Sequence, residues 1–129
     1  MVYNLLSITQ GLSIPFLPPN PRRIGPCSYL GYGNGVVLVN EAGQVSSLSF
    51  KPLPAKAGQT QRSWSHSAYP GQLAMALLTD VIDCEEIIFS FYKNFEHSFV
   101  ARLPYGQDWG PILAEEIRFE FAELIACLN

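Results

Sequence analysis

Charge is scarce in this sequence. Only 15% of its 129 residues are Asp, Glu, Lys or Arg, against about 25% in an ordinary soluble domain. Cations are the scarcer sign: there are eight Lys and Arg in all, and Arg22–Arg23 is the only adjacent pair. Nucleic acid is bound by clustered cations that displace condensed counterions. A net charge of −3 and a pI near 5.2 speak against that partner. Histidine occurs twice and cysteine three times, with no C-x-x-C spacing. A metal centre needs His, Cys and carboxylates at ligand spacing. Glu96 and His97 are adjacent, so on a helix their side chains diverge. No metal or cofactor is expected. The odd, scattered cysteines Cys27, Cys84 and Cys127 fit a reduced, cytoplasmic protein without disulfides. No stretch approaches the ~20 apolar residues needed to cross a bilayer, so no membrane partner is expected. The opening residues lack a basic region and an unbroken apolar run, so they do not read as a signal peptide.

What the chain does have is apolar residues, 48% of the total. The length suits one domain, 1–129, with a real core. Five of the ten prolines fall before residue 36. A run such as IPFLPPNPRRIGP can be neither helix nor central strand, because proline lacks the N–H that both ladders use. Residues 1–28, and their Pro-rich part 12–27 above all, are expected to form an extended arm. Ile14, Phe16 and Leu17 give it apolar content. Residues 29–50 predict strands: Tyr29–Tyr32, then a hairpin with Val36–Val39 and Val45–Phe50 around the turn residues Asn40–Gly43.

The stretch from Trp64 to Trp109 carries the clearest helix signals. Pro70 suits a first turn, where its missing N–H costs nothing. From Leu73 to Ile82 apolar residues go almost all the way round the wheel, as in a buried helix. A helix over 70–82 should therefore be central. Asp83 and Glu86 have capping-box spacing, which starts a second helix over 84–100. Its inner face would carry Ile88, Phe91, Tyr92, Phe95 and Phe99. A third helix over 111–128 starts from Pro111, with Leu113, Ile117, Phe121, Leu124 and Leu128 as its stripe. The expected fold is α+β: a small antiparallel sheet of two to four strands packed on three helices.

Candidate chemistry is thin. Gly31, Gly33 and Gly35 spell G-x-G-x-G. A dinucleotide site needs such glycines between a strand and a helix, and here a strand follows, so a turn is the better reading. His66 lies among Ser63, Ser65 and Ser67, with Asp80 further on. A Ser–His–Asp arrangement needs three mutually positioned groups, and nothing marks a nucleophile turn or an oxyanion hole. Trp64, His66 and Asp80 are the residues to watch if the start of the central helix holds an anion or another ligand. Glu115, Glu116, Glu120 and Glu123 read as a solvated acidic face.

After a short strand pair come Pro70, Gln72, Leu73 and Ala74 at a helix start, then Tyr92 and Phe95 running into Val100, Ala101, Arg102, Leu103 and Pro104, then Trp109 and Ile117. This order of signals resembles a small family of bacterial and phage-associated domains of unknown function. The resemblance spans roughly residues 29–128. It implies an intracellular α+β domain and no particular activity.

Phe89, Val100, Ile112 and Phe119 fall off the core stripes of their helices. Scattered exposed apolar residues are ordinary, but with so little charge these four also read as a contact surface. The expectation is a non-enzymatic interaction or accessory module that self-associates, most simply as a dimer. The alternative is a small hydrolase or ligand-binding enzyme built around Trp64, His66 and Asp80.

Overall fold

The computed structural model describes residues 26–50, 69–104 and 106–128. Residues 1–25 of the expected arm, with Trp64 and His66 as well, lie outside the described residues, whereas Cys27 and Ser28, expected at the end of the arm, are paired in a strand. Strands β1 (Cys27–Gly31), β2 (Val37–Glu41), β3 (Gln44–Ser47) and β4 (Trp109–Leu113) form one antiparallel sheet in the order β3-β2-β1-β4. Helices α1 (Tyr69–Val81), α2 (Glu85–Ser98) and α3 (Ala114–Leu128) pack on one of its faces, and a 3-10 turn over Val100–Arg102 follows α2. The fold is α+β, as the residue patterns predict.

Register follows from the hairpin between β2 and β3. Glu41 faces Gln44 across the two-residue turn Ala42–Gly43. Both turn residues have positive φ, 52° and 90°, the geometry that matches the twist of the flanking strands. Asn40 Oδ1 accepts the Gly43 N–H at 2.9 Å and pins the turn. With that register, Tyr29, Val37 and Val39 point at the helices and are fully buried.

Helix α1 is central, and every residue from Gly71 to Leu78 is buried. It packs against α2 and α3 and reaches the sheet through two tyrosines. The Tyr29 hydroxyl of β1 donates to Asp80 Oδ2 at 2.5 Å. The Tyr69 hydroxyl donates to the Gly35 carbonyl at 3.0 Å. Ile88, Tyr92 and Phe95 of α2, and Phe99 after it, face inward. Phe95 stacks on Phe99 at 4.8 Å and meets the edge of Phe121 of α3 at 5.7 Å. All three cysteines are free thiols.

Four local expectations need correction. Phe91 is half-buried, because it sits at the margin of the α2 stripe. Asp83 does not cap α2; Cys84 is the residue before the helix, and no side chain caps it. The second helix ends at Ser98, where the tighter 3-10 turn takes over. Pro111 does not start a helix. Residues 109–113 are extended and pair with β1, and α3 begins at Ala114. A proline is tolerated there because β4 is an edge strand, where one N–H fewer breaks no ladder. Leu113 accordingly leaves the α3 stripe and is exposed, and Leu128 is exposed at the frayed end.

Candidate functional site

A cleft of about 950 Å³ opens at the end of the sheet where β1 turns into β2. Its walls are the 32–37 turn, Phe50 beyond β3, the start of α1, the end of α2 with its 3-10 turn, and Trp109 of β4. The three glycines of the G-x-G-x-G run shape this end. A side chain at Gly31 would run into the Trp109 indole, so the glycine lets the ring lie against the strand. At Gly33 a Cβ would stand 2.7 Å from the Gly106 carbonyl oxygen, and the Gly33 N–H donates to Asp108 Oδ1 at 2.8 Å. Gly35 has φ +96°, a conformation glycine adopts at little cost. The run is a packing device for the β1–β2 turn.

The Tyr69 ring stacks on Phe50 at 5.9 Å, and burial pushes its hydroxyl above the usual phenol value. Among the described residues of the lining, Glu96 and His97 are the only formally charged or imidazole side chains, and both belong to α2. His97 is exposed, as its place on the outward side of the helix predicts. A mostly apolar, aromatic wall with few polar groups suits an apolar ligand better than an ionic one. Among the described residues no group of three His, Cys, Asp or Glu is placed to hold a metal ion.

Asp80 does not belong to this cleft. It lies in the last turn of α1, eleven residues from Tyr69, a rise of about 16 Å. Its carboxylate is buried and accepts the Tyr29 hydroxyl. Burial, first, and then hydrogen bonding to Asp80 and Cys27 and their charge, raise the Tyr29 hydroxyl far above its ordinary value. Asp80 is therefore tied to the sheet at the end of the helix far from Tyr69. Gln72 is the other buried polar residue of α1, and its Oε1 has no partner among the described residues.

The four-residue contact surface divides. Phe89 and Phe119 are exposed, at 54% and 50%. Val100 and Ile112 are buried. Val100 sits in the 3-10 turn, where the 3.6-residue phase of α2 no longer applies. Ile112 is on β4, where it pairs with Tyr29 and points inward with it.

A second surface went unseen in the sequence. The sheet face opposite the helices carries Ser28, Leu30 and Tyr32, then Val36, Leu38 and Asn40, then Val45 and Ser47, then Leu113. None of these is charged. Val45 and Leu113 are 60% and 56% exposed. An antiparallel sheet with one wet face alternates apolar and polar residues. The unbroken Val36–Val39 run was the available signal that both faces of β2 are apolar.

No protein-family model matches the chain, and no curated protein or solved structure matches it either. Among the described residues no helix is long and apolar enough to cross a membrane.

Proposed function

We propose that this chain is a non-enzymatic interaction or accessory module of the cytoplasm that associates with itself, as a dimer in its simplest form. One observation carries the reading. Phe89 and Phe119 each leave half their surface in water, on helices whose inner faces are already filled by Ile88, Phe95, Ile117 and Phe121. Burying one phenylalanine is worth roughly 1.5–3 kcal/mol, so a two-fold contact using both would be favourable. A specific contact of this kind covers about 800 Å² per partner. The test is a Phe89→Glu/Phe119→Glu double variant. It should keep its helical circular dichroism and run as a monomer where the parent runs as a dimer. Equal masses for the two would remove these residues from the contact.

The cleft supports a second reading, a small hydrolase or ligand-binding enzyme with its site between the β1–β2 turn and the start of α1. In that reading Trp64 and His66 are the residues to test, whereas Asp80 is tied to Tyr29 and would not contribute. Turnover of an ester, phosphate or amide that His66→Ala abolishes without unfolding would favour this reading.

A further inference from the structure

We propose that the uncharged outer face of the sheet is a docking surface, and that its occupant is the chain's own N-terminal segment around Leu12–Phe16. Four observations carry this.

The first is composition. The exposed sheet face has no charged side chain across four strands, and residues 1–21 have none either. Both stretches lack the charged side chains that are almost never buried without a partner.

The second is pattern. Leu12, Ile14 and Phe16 recur at every second residue, so in an extended chain they fall on one side. The sheet offers matching rows. Leu113, Ser28, Asn40 and Val45 stand in one line across the strands, Leu30, Leu38 and Ser47 in the next, and Tyr32 with Val36 in a third.

The third is the kind of contact. Proline at 15, 18, 19 and 21 removes the N–H groups that adding a strand to the β3 edge would use. A proline-rich segment is therefore better laid over side chains on a face than paired along an edge.

The fourth is reach and area. The described chain begins at Pro26, whose carbonyl accepts from the Ala42 N–H beside the β2–β3 turn, so the preceding segment starts at the sheet's own end. Nine residues lie between Phe16 and Pro26, and the ten steps from one to the other span up to roughly 33 Å. The face is about 19 Å across and about 17 Å along the strands, so all its rows are within reach. Its projection, about 300 Å², is well under the ~800 Å² per partner of a stable protein–protein contact. A second copy stacked on this face alone would be undersized, whereas one extended segment matches it.

The experiment places a photoreactive benzoylphenylalanine at Val45 in the full chain, and separately at Leu113. Both positions are exposed, so the probe does not disturb the core. The expected result is a crosslink to residues 12–17 within the 14.3 kDa species, lost in Phe16→Asp while helical circular dichroism is kept. Crosslinks to the sheet residues of a second copy at doubled mass would overturn the proposal in favour of stacking. Crosslinks to 12–17 at doubled mass would overturn the placement within one chain. Crosslinks only to 51–68, or none at all, would overturn it outright. Because mass separates these outcomes, the result stands apart from whether Phe89 and Phe119 hold a dimer together.

Discussion

Truncating Phe95 is the sharpest probe of how α2 faces the core. Its ring is fully buried. It stacks on Phe99 at 4.8 Å with 14° between planes, and it meets Phe121 edge-on at 5.7 Å and 86°. Removing it to alanine forfeits a burial term of roughly 1.5–3 kcal/mol. It also loses two aromatic pairs at about 0.5–1.5 kcal/mol each. The sum agrees with the 3–5 kcal/mol cost typical of Phe→Ala in a core. That is a large part of a domain stability of roughly 5–15 kcal/mol. With a urea m-value of about 2 kcal/mol/M, the unfolding midpoint followed by far-ultraviolet circular dichroism should fall by roughly 2 M. Phe91→Ala is the control. Phe91 lies one turn earlier in the helix and is half-buried, so its truncation should cost clearly less. A Phe95→Ala cost under about 1 kcal/mol, or a Phe91→Ala cost above it, would refute this orientation of the helix.

Three further outcomes follow from the same packing. Tyr29→Phe strips the buried Asp80 carboxylate of a hydrogen bond and should cost about 1–3 kcal/mol in urea unfolding; a neutral result would mean that water replaces the donor. The raised Tyr29 hydroxyl also makes stability pH-dependent. Folding holds it neutral, so its contribution is complete below the ordinary phenol value of about 10 and declines as pH rises above it, where only the unfolded tyrosine ionises. Unfolding free energy should fall by about 1.4 kcal/mol per pH unit for this group, with Tyr69 and Tyr92, also raised by burial, adding to the slope. Tyr29→Phe should flatten that slope, and an unchanged slope would contradict the assignment. Ala42 holds φ +52° in the β2–β3 turn, a left-handed conformation that asparagine tolerates better. Ala42→Asn should therefore stabilise by about 0.5–1 kcal/mol in thermal unfolding, and a loss of stability would argue against this turn.

Local signals carried much of this fold. The all-round apolar run from Leu73 to Ile82 identifies α1 as buried, and the turn residues Asn40–Gly43 after the apolar Val36–Val39 run identify the β2–β3 hairpin. Helix spacing alone puts Ile88, Phe95, Ile117 and Phe121 in the core, and it leaves Phe89 and Phe119 outside. What failed depends on distant partners. Pro111 looks the same at a helix start and in an edge strand, and only pairing with β1 decides between them. Ile112 is turned inward by that pairing, and Val100 by the change of helical pitch after Ser98. The contact of Trp109 with Gly31, and the bond from Tyr29 to Asp80 fifty-one positions away, have no local period to betray them. Helix rise alone removes Asp80 from the start of α1, eleven residues away, where the residue types suggest a site with Trp64 and His66.

Sedimentation equilibrium of the full chain over a wide concentration range tests the self-association reading most directly. The account predicts a mass that climbs from 14.3 kDa towards twice that value, and a return to the monomer mass in the Phe89→Glu/Phe119→Glu variant. A single 14.3 kDa species that persists to tens of micromolar would contradict it, and Phe89 and Phe119 would then be ordinary exposed residues of a monomer.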